Sequence, residues 1–255
     1  MKPVKQAICW GVICQGSVTP EQAVQEAKAI GYQAFDFAPE EHWAMIREAG
    51  LELSLIGGHQ SLRDGMNKRE NHDRIYHELK ANIEKAAQWG IHSLCCFSGD
   101  RYFGVSDLVG AEICAEVMAK AAPVAQSHGV NLVMELLNSR VDHLGYMCDR
   151  TEWAVHMCKL VNSPRVKLLY DIYHMQIMEG DLIRTIRDNI QWFAHFHTAG
   201  NPGRRDMDGT QEVYYPAVAR AVAELEYDGF VAHEFGPKGD PLAAAKAAYE
   251  AWLVE

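Results

Sequence analysis

Four side chains that could bind a cation follow four apolar segments in the second half of the chain. They are Glu135 in "VMELLNS", Asp171 in "LLYDIYH", His197 in "HFHTAGNPGR" and Glu234 in "VAHEFGP". Three carboxylates and an imidazole that face one cavity would repel one another and lose hydration, unless a divalent cation neutralises them. Mixed oxygen and nitrogen ligands suit Mg²⁺ or Mn²⁺ best, and Co²⁺ or Zn²⁺ is also compatible. The pattern therefore predicts that these four residues form a divalent metal site.

Each of the four residues has an ordinary alternative when it is considered alone. A single Glu or His at a strand end commonly caps a loop or pairs at the surface. Ionised carboxylates inside strongly apolar segments are less common, because Asp and Glu are rarely buried without partners. Four such residues after four successive apolar segments favour one shared site.

Three further side chains are candidates for contact with a substrate. His174 follows Asp171 by three positions, where it could reach the open side of the metal or make a structural hydrogen bond. Arg204 in "NPGRRD" could bind a substrate carboxylate through two parallel hydrogen bonds, or pair with a nearby aspartate. His59 ends another apolar segment and could face the same cavity or be a solvated loop residue.

Two other histidines near these positions are assigned to structure. His195 lies two residues before His197, so it shares the same face of the strand but sits deeper, and we predict a hydrogen-bonded core histidine. His233 directly precedes Glu234 and should point the opposite way, toward the surrounding helices.

Eight β-rich segments, each followed by a segment of helical period, cover the chain. The strand segments are "VKQAICWG", "YQAFDF", "LELSLIGG", "HSLCCFSG", "VNLVMELLN", "VKLLYDIYH", "WFAHFHTAG" and "GFVAHEFGP". The helical segments are predicted at 19–30, 39–49, 71–89, 106–128, 150–163, 174–188, 215–226 and 240–253. Continuous apolar strands are typical of a parallel sheet that helices cover on its outer face.

This alternation predicts an α/β fold, a single (β/α)8 TIM barrel that occupies residues 1–255 as one domain. A doubly wound open sheet is the competing fold, but the first turn, "CWGVICQGSVTP", does not fit the GxGxxG pattern usual there. In a closed parallel barrel the carboxyl ends of the strands meet on one face. The barrel would therefore bring the four candidate ligands together.

The charge and hydropathy of the chain exclude other classes of partner. A net charge of −10 argues against a surface built for phosphate backbones, so we expect no nucleic acid. No basic segment leads into an apolar one at the start, and no apolar run is long enough to span a bilayer, so we expect a cytoplasmic protein without a membrane partner. A small-molecule substrate is expected, and a homo-oligomer is left open.

Seven cysteines show neither CxxC spacing nor an even count, so neither a disulfide framework nor a thiolate zinc site is indicated. Reduced and mostly buried thiols are expected. The vicinal pair Cys95 and Cys96 points to opposite faces of a strand, which disfavours a bridge between them.

The motifs "MELLNS", "LLYDIYHMQIMEGD", "HFHTAGNPGR", "TQEVYYPA" and "HEFGPK" closely resemble the hydroxypyruvate isomerase family of the xylose isomerase-like TIM-barrel superfamily. The resemblance extends through "GHQSL", "ENHDR" and "CFSG", and so covers almost the whole chain. It implies that Glu135, Asp171, His197 and Glu234 are metal ligands and that Glu135 and Glu234 also transfer the proton. His174 and Arg204 are implied on the substrate side. "PGRRD" and "EVYY" depart from the family's "PGRHE" and "ELNY", which leaves the substrate open.

The implied reaction interconverts hydroxypyruvate and tartronate semialdehyde by exchanging a carbonyl and a hydroxyl between adjacent carbons. A carboxylate removes a proton from carbon, and a cation stabilises the enediolate that develops. The same set of residues could serve a ketose 3-epimerase or an isomerase of a longer 2-oxo sugar acid. A noncatalytic sugar-binding barrel is the alternative of another class, and DNA-repair endonucleases of the superfamily are disfavoured by the acidic charge.

Overall fold

The computed structural model describes residues 3–254, and in it eight parallel strands form one closed barrel in the order β1-β2-β3-β4-β5-β6-β7-β8. The strands are β1 (Lys5–Cys9), β2 (Ala34–Asp36), β3 (Glu52–Gly57), β4 (Ser93–Cys96), β5 (Asn131–Glu135), β6 (Val166–Asp171), β7 (Phe193–Thr198) and β8 (Phe230–His233). Strand β1 pairs with both β2 and β8, so the sheet has no free edge there. The predicted (β/α)8 TIM barrel is confirmed.

Helices connect the strands in the described part of the chain. They are α1 (Trp10–Ile13), α2 (Pro20–Ile30), α3 (Trp43–Glu48), α4 (His72–Trp89), α5 (Asp107–His128), α6 (Thr151–Val161), α7 (Ile172–Met178), α8 (Leu182–Asn189), α9 (Tyr215–Glu224) and α10 (Pro241–Ala251). Short 3-10 helices precede α3 and α4 and follow α8. Burial of nearly every strand residue explains why the strands read as apolar runs.

Local sequence signals set the helix ends. Thr19 caps α2 by accepting a hydrogen bond from the backbone of Gln22, whose side chain bonds back to the Thr19 backbone. Pro20 occupies the first helical position, and Gly31 ends the helix with a φ of 117°, which a residue with a Cβ rarely adopts. The predicted boundaries of α2 therefore differ from the observed ones by one residue at the start.

The segment predicted as one helix over 174–188 is two helices. Helix α7 begins at Ile172, two residues earlier than expected, because the Asp171 carboxylate caps it. The chain then turns through Gly180 and Asp181, both with positive φ, before α8. The short helix α1 was not predicted either. Both differences place a helix start directly at the end of a barrel strand.

Within the barrel the chain divides into two compact units, and each has its own contacts. The first contains the chain up to Leu55, Asp181–Ile190 and the chain from His195 onward. The second contains Ile56–Gly180 and Gln191–Ala194. One domain over residues 1–255 stays a prediction.

Candidate functional site

The four predicted ligands lie at the carboxyl ends of consecutive strands. Glu135 and Asp171 are the last residues of β5 and β6, His197 is the next to last of β7, and Glu234 directly follows β8. One ligand atom from each lies within 4.8 Å of the others. Three of them are almost fully buried, and the side chain of Glu234 is 30% exposed. The arrangement places three carboxylates and an imidazole at one point, as a cation site requires.

His197 is oriented by Asp36, the last residue of β2. The Nε2 atom of His197 lies 3.1 Å from Asp36 Oδ2, and Nδ1 lies 2.9 Å from Glu234 Oε2. Because an ionised carboxylate can only accept a hydrogen bond, the Nε2–H of His197 donates to Asp36. In a neutral ring the other nitrogen, Nδ1, then has a free lone pair on the side of Glu234 and would bind a cation together with that carboxylate.

Asp36 is fully buried yet ionised. Burial raises the pKa of its carboxyl, but His195 and then His197 outweigh burial and hold that pKa well below its usual range. His195 Nε2 lies 2.7 Å from Asp36 Oδ2, and the Ser54 hydroxyl donates to Asp36 Oδ1. His195 is thus the hydrogen-bonded core histidine that the sequence predicted.

His233 has the predicted outward orientation. Its ring packs edge-on against Tyr32, its Nδ1 lies 2.7 Å from the Thr198 hydroxyl, and its Nε2 lies 2.9 Å from Gln6 Oε1. Burial lowers its pKa to about 3, so the ring is neutral. Its neighbour Glu234 lies on the opposite face of the strand.

Arg204 faces Glu234. Its Nη2 donates to Glu234 Oε2 at 2.5 Å, and its Nε donates to the Glu234 carbonyl at 3.4 Å. Asp206 and Asp208, the nearby aspartates considered as alternative partners, accept hydrogen bonds from the backbone N–H and the ammonium of Lys238, respectively. The backbone of Arg204 has a φ of 54°, in the left-handed region that few residues with a side chain adopt.

A cavity of about 440 Å³ adjoins this ion pair. Val12, Phe37 and Phe235 give it apolar walls, and Arg204 and Glu234 supply the charge. A mostly apolar lining with a few charged groups is typical of a small-molecule site.

Asp171 and His174 form a second hydrogen-bonded group. Asp171 Oδ1 accepts from the His174 backbone N–H at 3.1 Å, which caps α7. The Nε2 of the His174 ring lies 3.6 Å from Asp171 Oδ2, and its Nδ1 lies 2.6 Å from Asn138 Nδ2. The His174 ring and the Asp171 carboxylate are both buried, and the predicted proximity of His174 to a candidate ligand is observed.

Glu135 is held by groups of its own neighbourhood. The Cys95 thiol donates to Glu135 Oε2 at 3.2 Å, and the Tyr146 hydroxyl donates to the Glu135 carbonyl at 2.9 Å.

All seven cysteines are free thiols, as predicted, and only Cys14 is not fully buried.

His59 has both ring nitrogens engaged by backbone. Its Nε2 accepts from the Phe97 N–H at 3.0 Å, and its Nδ1 donates to the Gln60 carbonyl at 2.9 Å. The ring is buried, which argues against the alternative of a solvated loop residue. These partners fix the orientation of the His59 ring, and its contact with substrate stays a prediction.

Asp36 and Asn138 are the residues of this region that the sequence reasoning missed. Asp36 ends "YQAFDF" at the carboxyl end of a strand, the same signal that selected the other carboxylates. Asn138 lies in the loop after β5, and nothing local distinguishes it from other loop asparagines.

The chain belongs to the xylose isomerase-like TIM barrel family, whose model matches residues 24–254. The hydroxypyruvate isomerase of Escherichia coli is 29% identical over 200 residues, which cover 78% of this chain and 71% of that protein. The 2-oxo-tetronate isomerase of Cupriavidus necator is 34% identical over 128 residues, 50% of this chain and 48% of that protein. These relatives identify the protein as an isomerase.

The crystal structure of an AP endonuclease, family 2, from Brucella melitensis superposes with a TM-score of 0.81. It is 24% identical and covers 95% of this chain and 96% of that chain, a likeness that concerns the fold alone. Among residues 3–254, no helix has the length and apolar character that a membrane crossing requires.

Proposed function

We propose that this isomerase interconverts hydroxypyruvate and tartronate semialdehyde, using Glu135 and Glu234 as proton-transfer residues. The convergence of Glu135, Asp171, His197 and Glu234 within 4.8 Å is the observation that carries the proposal. The likeness to the Escherichia coli hydroxypyruvate isomerase supports the choice of substrate.

The side chains present fit a divalent cation. Three carboxylate groups and one imidazole offer hard and borderline ligand atoms, and two of the carboxylates are buried, where ionised groups need compensation. Glu135, Asp171, His197 and Glu234 would hold the ion. A bound Mg²⁺ or Mn²⁺ supplies positive charge that stabilises the oxyanions of an enediolate. We keep Co²⁺ and Zn²⁺ as alternatives to be tested.

The two glutamates account for the proton balance of the reaction. One glutamate carboxylate takes a proton from C3 of hydroxypyruvate, which moves the electron pair into the C2–C3 bond and gives the enediolate. A proton returned to C2, together with transfer of the C3 hydroxyl proton to the oxygen on C2, gives tartronate semialdehyde with no net change in atoms. Arg204, bonded to Glu234 and lining the cavity, orients that carboxylate and binds the carboxylate of the substrate.

Burial protects the intermediate. Glu135 is 4% and Asp171 is 1% exposed, so bulk water has little access to them. Exclusion of water strengthens the electrostatic interactions and prevents unwanted protonation of the enediolate.

The reaction is tested with protein stripped of metal and reconstituted with Mg²⁺, Mn²⁺, Co²⁺ or Zn²⁺. We expect isomerisation of hydroxypyruvate to disappear on chelation and to return with Mg²⁺ or Mn²⁺. A metal-free protein that keeps full activity would overturn the metal dependence, and activity on ketohexoses alone would favour a 3-epimerase.

The glutamate roles are tested by proton exchange from labelled water into substrate. Glu135→Gln and Glu234→Gln should each lower exchange by roughly 10²- to 10⁴-fold, the usual contribution of general acid–base catalysis. Glu84→Gln, an exposed change on α4, is the matched control. Full exchange in either site variant removes that glutamate from the mechanism.

A second candidate substrate is 2-oxo-tetronate, because its isomerase from Cupriavidus necator is 34% identical over the aligned half of the chain. A cavity of about 440 Å³ does not exclude the additional carbon. The ratio of kcat/KM for hydroxypyruvate and 2-oxo-tetronate decides between them. A cytoplasmic location, a single domain and a homo-oligomer stay predictions.

A further inference from the structure

The orientation of the Asn138 side chain is determined by backbone groups. Its Oδ1 accepts from the N–H of Val141 at 2.9 Å and from the N–H of Asp142 at 3.0 Å. Only the oxygen of an amide can accept these bonds, so the Asn138 NH₂ must point the other way.

The two hydrogens of that NH₂ have two partners. Nδ2 lies 2.6 Å from Asp142 Oδ2 and 2.6 Å from His174 Nδ1. Asp142 Oδ2 also accepts from the Tyr173 hydroxyl at 2.8 Å, which fixes the carboxylate in place. Asn138 and His174 are fully buried, so water does not compete for these bonds.

The consequence for His174 follows from the polarity of the bond. Because Asn138 Nδ2 can only donate, His174 Nδ1 must accept and carries no hydrogen. A neutral imidazole then carries its hydrogen on Nε2, the nitrogen 3.6 Å from Asp171 Oδ2. His174 is thereby preset as a hydrogen-bond donor beside a proposed cation ligand.

We propose that Asn138 is a positioning residue that holds His174 in the Nε2–H tautomer, with Asp142 and Tyr173 fixing the Asn138 amide. The His174 Nε2–H then donates to an oxygen of the oxo-acid substrate where negative charge develops. This second part rests on the proposed isomerase function, whereas the tautomer itself does not.

The tautomer is measured by NMR of ¹⁵N-histidine-labelled full-length protein at alkaline pH, where an ordinary imidazole is neutral. The spectrum of His174→Gln assigns the His174 nitrogens by difference. We expect a protonated Nε2 and an unprotonated Nδ1. A protonated Nδ1 in the wild-type protein overturns the proposal whether or not any substrate is turned over.

The double variant Asn138→Asp/Asp142→Asn reverses the polarity of the network and keeps its shape. The carboxylate at position 138 can accept hydrogen bonds from the two backbone N–H groups and from the side-chain amide at position 142. Because it cannot donate, its bond to His174 requires a hydrogen on Nδ1. We expect the tautomer to switch and kcat to fall about a hundredfold, the usual cost of one lost donor to an oxyanion, with metal content unchanged.

A purely structural role for Asn138 predicts a different result. The double variant has as many hydrogen bonds as the wild type once the His174 tautomer has switched, so a purely structural role predicts an unchanged kcat. An unchanged tautomer in a folded double variant overturns the proposal. A switched tautomer with unchanged turnover overturns the role of His174 as donor and leaves the isomerase assignment intact.

Discussion

His197 and His174 are both fully buried imidazoles next to proposed cation ligands, but their partners have opposite hydrogen-bonding polarity. The Asp36 carboxylate accepts the Nε2 hydrogen of His197, whereas the Asn138 amide donates to Nδ1 of His174. One ring is therefore arranged to offer a lone pair and the other to offer a hydrogen. The comparison teaches that the residue behind a histidine decides which chemistry the ring can perform.

The largest expected effect separates the two rings directly. His197→Ala should lose bound Mn²⁺ on dialysis, because it removes a ligand atom. His174→Ala should keep the metal and lower kcat by roughly 10²- to 10³-fold, because it removes a donor to the oxyanion. Metal analysis by mass spectrometry and steady-state kinetics are the measurements. Loss of metal in His174→Ala would contradict the division of roles.

Asp36→Asn tests whether Asp36 prepares His197 to bind the metal. The amide no longer supplies the negative charge that holds the Nε2 hydrogen of His197 and His195, so metal affinity should fall by about 10- to 100-fold. Titration of the metal-stripped protein measures the change. Asp73→Asn, at an exposed aspartate of α4, is the control. Equal affinities in the two variants would show that Asp36 does not tune His197.

Ser54→Ala and Tyr173→Phe compare the two hydroxyl groups that support the partners of His197 and His174. Each removes a hydroxyl that donates to a carboxylate, of Asp36 and Asp142 respectively. We expect each to lower the free energy of unfolding by about 1–2 kcal/mol, because the carboxylate loses one donor. Urea denaturation measures this loss. A larger fall in metal affinity for Ser54→Ala than for Asp36→Asn would contradict the expectation that Asp36 affects His197 more strongly than Ser54 does.

The smallest effect concerns His59, a buried histidine whose partners are backbone groups. Burial lowers its pKa below the ordinary value, so below about pH 6.5 the unfolded chain binds a proton that the folded chain does not. The contribution of His59 to stability is therefore present above that pH and is lost as the pH falls. His59→Gln should make the loss of stability between about pH 7.5 and about pH 5.5 shallower.

The measurement is urea denaturation of wild type and His59→Gln at both pH values. Parallel losses of stability in the two proteins would show that His59 does not bind fewer protons in the folded state. The hydrogen bond from the Phe97 N–H to His59 Nε2 is the physical reason for the expectation. A protonated ring would carry a hydrogen on Nε2, which would point at the Phe97 N–H.

The strand ends show how far local patterns reach. Glu135, Asp171, His197 and Glu234 were selected because each follows an apolar run, and the structure places all four at carboxyl ends of barrel strands. The same signal applied to "YQAFDF" would have selected Asp36. The division of 174–188 into two helices was missed, because Asp171 served in the prediction only as a ligand and not as a helix cap.

The sequence by itself determined the barrel, the family and the four strand ends that carry ligand-type side chains, because apolar periodicity and strand order are properties of the chain. The tertiary structure decided which partner each histidine meets. Asp36 and His197 are 161 positions apart, and Asn138 and His174 are 36 apart. A hydrogen bond depends on the position and direction of two groups within tenths of an ångström, and only the folded chain brings such distant residues together.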